Sequence, residues 1–102
     1  MMAAYYNRGV TYQASGKHQL AIDDFTRTIE LQPEMTQAYL IRAKSYSTLG
    51  RQDRTINDLQ TALQLARRQG KPRLAASLTQ WLRSMNAMPA SNTPATTERL
   101  IR

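Results

Sequence analysis

The chain has 102 residues, of which 41% are apolar, and it carries a formal net charge of +7 and no cysteine. This length allows one small domain, and the lack of cysteine excludes disulfides and thiolate metal sites and fits the cytoplasm or another reducing compartment. No apolar run reaches the roughly 18 residues of a membrane span, and the segment from Met1 to Arg8 lacks the pattern of a secretory signal.

Two helices are predicted in the first third of the chain. Residues 2–15 place Tyr5, Gly9 and Tyr12 on one face, at spacings of four and three residues. Glycine at position 16 interrupts this pattern. Residues 18–31 form the second predicted helix, which Pro33 stops because the residue before a proline disfavours the helical conformation.

Two further helices follow with the same spacing. Residues 36–49 are predicted to form the third, which Gly50 interrupts, and residues 52–68 the fourth. Gly70 is expected to close the fourth helix in a left-handed conformation, which glycine adopts without steric cost.

The fifth predicted helix covers residues 72–86, with Pro72 in its first turn. Its apolar face includes Leu74 and Trp81 and its other face is polar, as is typical of the last helix of a stack. Residues 87–102 are rich in proline, serine, threonine and asparagine, and they are predicted to be a low-complexity tail.

The chain repeats itself with a 34-residue period. Seven pairs share this spacing: Tyr5 and Tyr39, Gly9 and Ala43, Tyr12 and Tyr46, Gly16 and Gly50, Ile22 and Ile56, Asp24 and Asp58, and Leu31 and Leu65. A helical hairpin of this size cannot bury its own apolar face, so it must stack on a neighbour. The period therefore predicts an all-α, elongated fold.

These residues resemble the tetratricopeptide repeat (TPR), a helix–turn–helix unit. The resemblance rests on Tyr5, Gly9, Tyr12, Ala21, Phe25 and Pro33 in the first unit, and on Tyr39, Ala43, Tyr46, Gly50 and Ala62 in the second. The second unit departs from the pattern at Thr55, Leu59 and Arg67, where alanine, an aromatic residue and proline are usual. Without that proline, the fourth helix is free to run longer.

The resemblance implies an all-α TPR-type solenoid of antiparallel helical hairpins, with about five helices. The TPR domain would span residues 2–86, with repeats at 2–35 and 36–69 and a capping helix at 72–86, followed by the tail. Small residues at Gly9 and Ala43 would let helices cross closely. Larger side chains at Tyr12, Phe25, Tyr46 and Leu59 would fill the gaps between layers.

A second feature also repeats. Arg8 precedes Asp24 by 16 residues, and Arg42 precedes Asp58 by the same distance. One hypothesis is an ion pair within each unit that helps its register. The alternative is independent surface charges, and an exposed pair would contribute only about 0–1 kcal/mol.

The sequence contains few candidates for catalytic or metal-binding residues. His18 is the only histidine, so a site with several nitrogen or sulfur ligands has no second member. Asp23 and Asp24 are adjacent and would point about 100° apart on a helix. The serines at 15, 45 and 47 have no base that the sequence assigns. We therefore predict a non-enzymatic protein without a cofactor.

Binding remains as the predicted mechanism. The resemblance implies that the first helix of each hairpin lines the concave side of the solenoid. The groove residues would be Tyr6, Asn7, Val10, Gln13 and Ala14, then Gln37, Leu40, Ile41, Lys44 and Ser47, then Arg73 and Ser77. Apolar anchors beside a few polar groups suit a peptide. A complete clamp for a C-terminal carboxylate is not expected, because Ile41 stands where an amide or basic side chain would be needed.

Basic residues concentrate in the second half of the chain. Residues 1–50 carry five basic and four acidic side chains, whereas residues 51–102 carry nine and three. Seven of these nine basic residues form a candidate patch or simply a solvated face: Arg51, Arg54, Arg67, Arg68, Lys71, Arg73 and Arg83.

The leading interpretation is an adaptor or assembly factor that binds an acidic peptide or protein segment. The alternatives are binding of RNA or an anionic surface through the basic residues, and a self-associating structural module. Such a homodimer would form through the outer side of the first helix, which no repeat precedes.

Overall fold

The computed structural model describes residues 2–85, which form five α-helices and no strand. The helices are α1 (Met2–Ala14), α2 (His18–Leu31), α3 (Thr36–Thr48), α4 (Gln52–Arg68) and α5 (Pro72–Ser84). All five predicted helices are confirmed, with α1 and α3 one residue shorter than predicted and α5 ending at Ser84. The predicted tail, residues 87–102, lies outside the described residues, as does residue 86.

Each helix packs against its neighbours along the chain, and α1 also touches α3. The structure is thus two helical hairpins, α1–α2 and α3–α4, with α5 packed on the open side of α4. This arrangement agrees with the predicted TPR-type solenoid. In the described part of the chain, none of the helices has both the length and the apolar character needed to cross a membrane.

Three of the helices end in the same way. The residue Gly70 has a φ angle of 67°, and the next amide, of Lys71, donates to the carbonyl oxygen of Ala66 at 2.9 Å. The amide of Gly70 itself donates to the carbonyl of Arg67. These two bonds form a Schellman motif. The predicted left-handed cap is confirmed, and equivalent bonds end α1 and α3.

The fourth helix is longer than its counterpart, as the missing proline allowed. It has 17 residues, whereas α2 has 14. The extra turn brings Gln69 to the start of the same hairpin, where its Nε2 atom donates to the carbonyl oxygen of Glu34 and its Oε1 atom accepts from Thr36 Oγ1, both at 2.9 Å. The hydroxyl of Thr36, which is 3% exposed, is satisfied in this way.

The close crossing of helices at Gly9 is confirmed. A Cβ atom at this position would lie 2.9 Å from Phe25 Cε1 and 3.2 Å from Asp24 Cβ. Ala43 occupies the equivalent place in the second hairpin and is fully buried, as are Phe25 and Leu59. A larger side chain at position 9 would therefore push the two helices apart.

The prediction that Tyr12 fills an interior gap is only half right. Its counterpart Tyr46 is 7% exposed, whereas Tyr12 is half-buried. The difference follows from position in the stack. A preceding hairpin covers the flank of α3, but nothing in the described residues covers that flank of α1.

Both predicted ion pairs are present and bidentate. Arg8 donates from Nε and Nη2 to the two carboxylate oxygens of Asp24, both at 2.8 Å. Arg42 donates to Asp58 at 2.8 and 2.7 Å. The second pair is buried, with the Asp58 side chain 6% exposed and that of Arg42 16%, so the low value of an exposed pair does not apply to it.

Candidate functional site

The predicted groove residues of α1 divide into exposed and engaged side chains. Asn7 and Val10 are exposed, with Val10 37% accessible. Tyr6 is half-buried, and its ring meets the ring of Phe25 edge-on with the centroids 5.9 Å apart. It therefore presents part of its surface to solvent and supports the core with the rest.

Gln13 joins the predicted groove faces of α1 and α3. Its Nε2 atom donates to the carbonyl oxygen of Ile41 at 3.1 Å and to the hydroxyl of Ser45 at 3.2 Å. Such side-chain bonds across 28 and 32 residues hold the two hairpins in register. The side chain of Gln13 is thus committed to the stack, whereas the exposed residues beside it are available to a ligand.

On α3, the polar members of the predicted groove are exposed and the apolar members are half-buried. Gln37, Lys44 and Ser47 are exposed, and Leu40 and Ile41 are half-buried. Leu40 also packs against the hydrophobic core. Across residues 2–85, the Lys44 ammonium group makes no ion pair or hydrogen bond.

The predicted groove residues of α5 are exposed beside residues that pack inward. Arg73 precedes the half-buried Leu74, and Ser77 precedes the buried Leu78. Both leucines pack in the hydrophobic core, and α5 packs on α4 as α3 packs on α2. The side chains of Arg73 and Ser77 are exposed.

Charge is divided between the two sets of helices. The odd-numbered helices α1, α3 and α5 contain no aspartate or glutamate, and their cations are Arg8, Arg42, Lys44, Arg73 and Arg83. The even-numbered helices hold all the helical acids of the described chain, Asp23, Asp24, Glu30, Asp53 and Asp58. The sequence showed a charge difference between the two halves of the chain, but the difference between the two helix sets was missed.

Two of these cations, Arg8 of α1 and Arg42 of α3, form ion pairs with aspartates of the even-numbered helices. The hydrogen bond from Arg8 to Asp24, and then the charge of Asp24, raise the pKa of Arg8. Burial lowers the pKa of Arg42, but the hydrogen bond to Asp58 and its charge outweigh this, and the pKa lies above its ordinary value. Both arginines therefore stay charged and remain bound to their aspartates.

Arg42 makes a further contact that no sequence signal predicts. Its Nη1 atom donates to Thr26 Oγ1 of α2 at 3.0 Å, and its guanidinium lies 5.8 and 5.6 Å from the ring centroids of Tyr39 and Tyr46. One side chain thus links α2, α3 and α4. Its counterpart Arg8 is 58% exposed, because no other helix among residues 2–85 covers it as α2 covers Arg42.

The seven residues of the candidate basic patch are all exposed, but they do not form one surface. Arg54 and Arg67 are 13 residues apart on α4, about 20 Å along its axis. Met85, at the end of α5, borders the same depression as Gly50 and Gln52 at the start of α4. Arg51, Arg54 and Arg83 therefore lie toward one end of α4, and Arg67, Arg68, Lys71 and Arg73 toward the other.

The structure brings His18 close to a serine. Its Nδ1 atom lies 3.3 Å from Ser45 Oγ, the same hydroxyl that accepts from Gln13. Ser45 is fully buried, so this hydroxyl is closed to a substrate and the contact joins the two hairpins. Among residues 2–85, there is no group of three side chains suited to a metal ion.

Comparison with known proteins gives family matches and two partial relatives. Models of the tetratricopeptide repeat match residues 3–35 and 36–69. Tetratricopeptide repeat protein 13 of Homo sapiens is 36% identical over 70 residues, which cover 64% of this chain and 8% of that protein. The tetratricopeptide repeat and J domain-containing co-chaperone DNJ1 of Cryptococcus neoformans var. grubii is 40% identical over 42 residues, which cover 41% of this chain and 8% of that protein. The matched segments thus span a small part of either relative.

Proposed function

The chain belongs to the tetratricopeptide repeat family, whose repeats indicate a protein–protein interaction module, and we propose that it binds an extended, acidic segment of a partner protein. The segment would cross the odd-numbered helices on the side that carries the candidate groove residues, Tyr6, Asn7, Val10, Gln37, Leu40, Ile41, Lys44, Ser47 and Arg73. The protein would act as an adaptor or assembly factor, without catalysis of its own.

The division of charge is the observation that carries this proposal. The odd-numbered helices hold no acid, and their exposed cations Lys44 and Arg73 have no partner among residues 2–85. A carboxylate of a partner would therefore meet attraction and no local repulsion. Such complementarity steers association and excludes basic partners more than it adds raw affinity.

Apolar groups beside these cations supply the other half of the proposed site. Val10 is exposed, and Leu40 and Ile41 are half-buried with part of each side chain open. Burial of a ligand side chain against them stabilises a complex by about 25 cal/mol for each Å² of apolar surface removed from water. The proposed ligand is therefore an extended peptide that carries both acidic and apolar residues.

The relatives bear on this proposal only by their names. One is a co-chaperone, which suggests that repeats like these serve in protein assembly. Because the match covers 8% of that protein, a similar adaptor role for this chain is our inference.

An NMR titration of the whole chain tests the proposed site. The probe is a ten-residue peptide of alternating leucine and glutamate. We expect amide shifts at Val10, Ile41 and Lys44, and weaker binding for Lys44→Glu and Val10→Asp. Lys17→Glu is the matched control, since Lys17 is also exposed but lies in the α1–α2 turn. Shifts confined to the even-numbered helices would reject the site.

A second candidate function is self-association through the flank of α1. Ala4 and Thr11 are exposed, whereas their counterparts Ala38 and Ser45 are fully buried by the preceding hairpin. This flank has the form of a surface on which hairpins stack. Sedimentation equilibrium tests the idea: a dimer that Thr11→Glu dissociates would support it, and a monomer at millimolar concentration would reject it. The nucleic-acid alternative gains no comparable support, because the basic residues lie toward opposite ends of α4.

A further inference from the structure

Available positive charge increases along the stack of odd-numbered helices. On α1, Arg8 is the only cation and it is bound to Asp24. On α3, Arg42 is bound to Asp58, which leaves Lys44. On α5, Arg73 lacks a partner among residues 2–85, as does Arg83, which lies toward the other end of α4 and outside the candidate groove. Among the candidate groove residues, the unpaired cations thus number zero on α1 and one on each of α3 and α5.

We propose that this gradient fixes the orientation of the bound peptide, so that its acidic end lies over α3 and α5 and its apolar end over α1. The inference rests on the function proposed above and specifies the ligand further. The ligand carries an apolar residue and an acidic residue in separate positions, and it does not bind in the reverse direction with equal affinity.

The internal repeat identifies the residues that set this orientation. Val10 and Lys44 are 34 residues apart and occupy the same position in the two hairpins, and both are exposed. The first hairpin therefore presents an aliphatic group where the second presents an ammonium group. One repeat offers a contact for an apolar side chain, and the next offers a contact for a carboxylate.

The spacing of the helices sets the spacing of the ligand. Packed helices lie about 8–10 Å apart. An extended peptide advances about 3.3 Å per residue. The apolar residue over α1 and the acidic residue over α3 are therefore about three positions apart in the ligand.

Nearby acids do not cancel the charge of Lys44. Asp24 and Asp58 are 4% exposed and bound to their arginines. Glu34 lies in the loop before α3, and the eight helical steps from Thr36 to Lys44 span about 12 Å along that helix. This exceeds the Debye length of about 8 Å at physiological ionic strength, so salt largely screens Glu34 from a ligand carboxylate at Lys44.

A spin-labelled peptide tests the orientation directly. The probe is an acetylated eight-residue peptide with leucine at position 2, glutamate at positions 5 and 6, and a nitroxide on a cysteine at position 8. The protein contains no cysteine, so the label stays on the probe. We expect amides of Lys44 and Ser77 to lose more NMR signal than the amide of Val10.

The double variant Val10→Lys/Lys44→Val is the decisive control, because it keeps the net charge and moves the cation by one repeat. In this double variant, we expect the strongest loss of amide NMR signal on α1 instead of α3 and α5. Lys44→Val alone should weaken probe binding about threefold, the size expected for one exposed charge pair. Lys17→Val should leave binding unchanged.

Two failures are distinguishable. If groove amides shift but the broadening is equal over α1, α3 and α5, or does not move in the double variant, the gradient does not orient the ligand, although the proposed function stands. If the groove amides do not shift at all, both the orientation and the groove function are wrong.

Discussion

Loss of Arg42 should destabilise the protein far more than loss of Arg8, although the two arginines occupy the same position in successive hairpins. Asp24 and Asp58 are equally buried, so the difference comes from the arginines: the side chain of Arg42 is 16% exposed and that of Arg8 58%. Removal of one partner from a buried ion pair costs about 3–5 kcal/mol. The bond to Thr26 and the contacts with Tyr39 and Tyr46 are lost as well.

The comparison with Arg8 supplies an internal control. Its side chain is 58% exposed and makes no bond to a preceding hairpin, so solvent and salt screen its pair with Asp24. Urea denaturation followed by circular dichroism would measure both variants. A double-mutant cycle of Arg42→Ala with Asp58→Ala should give strong coupling, and the cycle of Arg8 with Asp24 weak coupling.

The effect of pH on the arginine side of this pair follows from the direction of its pKa shift. The pKa of Arg42 is raised above its ordinary value in the folded protein. A raised pKa contributes stability that is fully present below the unfolded value and is lost only as the pH rises through the folded value. Arg42 should therefore stabilise the fold equally from pH 6 to pH 9. Equal losses of stability for Arg42→Ala and Arg8→Ala would refute the reasoning.

Three further predictions concern the repeat framework. Gly9→Leu should unfold the α1–α2 hairpin, because even a Cβ atom would lie 2.9 Å from the ring of Phe25. The rate of amide hydrogen exchange should then rise first in α1 and α2. An unchanged melting temperature would contradict this prediction. Gly70→Ala should cost about 1–2 kcal/mol in urea denaturation, because a φ of 67° is strained for any residue with a Cβ. Gln69→Ala should cost about 1–3 kcal/mol, because it leaves the buried hydroxyl of Thr36 unsatisfied, and Gln69→Glu, which keeps that acceptor, should lose less.

The fold was predictable because local signals agree with the repeat. Glycine at positions 16, 50 and 70 and proline at 33 separate the helices, and the structure places helix ends beside each of them. The close crossing at Gly9 was predicted from its small size, although its contact with Phe25 was not. These signals act within a few residues or within one hairpin, where helical geometry leaves few alternatives.

Contacts between hairpins could not be predicted from the sequence in the same way. The bonds from Gln13 to Ser45 and from Arg42 to Thr26 join polar side chains that have no distinctive spacing. Their formation depends on the angle and offset at which two hairpins stack, which the sequence pattern does not specify. For the same reason, Gln13 was predicted as a ligand-binding residue although its amide is committed to the second hairpin.

The repeat itself separates positions that serve the fold from positions that remain open to function. The pairs at the close crossing and in the ion pairs keep their character, as Gly9 does with Ala43 and the two aspartates with their arginines. The pairs on the predicted groove surface change in chemistry from one hairpin to the next: Tyr6 and Leu40, Asn7 and Ile41, Val10 and Lys44, Gln13 and Ser47.

Packing explains the first group, because a buried crossing or a buried ion pair admits few substitutions in either hairpin. It does not constrain Asn7, Val10, Lys44 or Ser47, whose side chains are exposed. A difference between hairpins at such positions leaves the stack intact but changes what a peptide meets as it crosses from α1 to α3. The specificity of this protein should therefore depend on the contrast between its two repeats, and a variant in which the first hairpin carries the second hairpin's exposed residues should fold normally and lose its preference for one peptide direction.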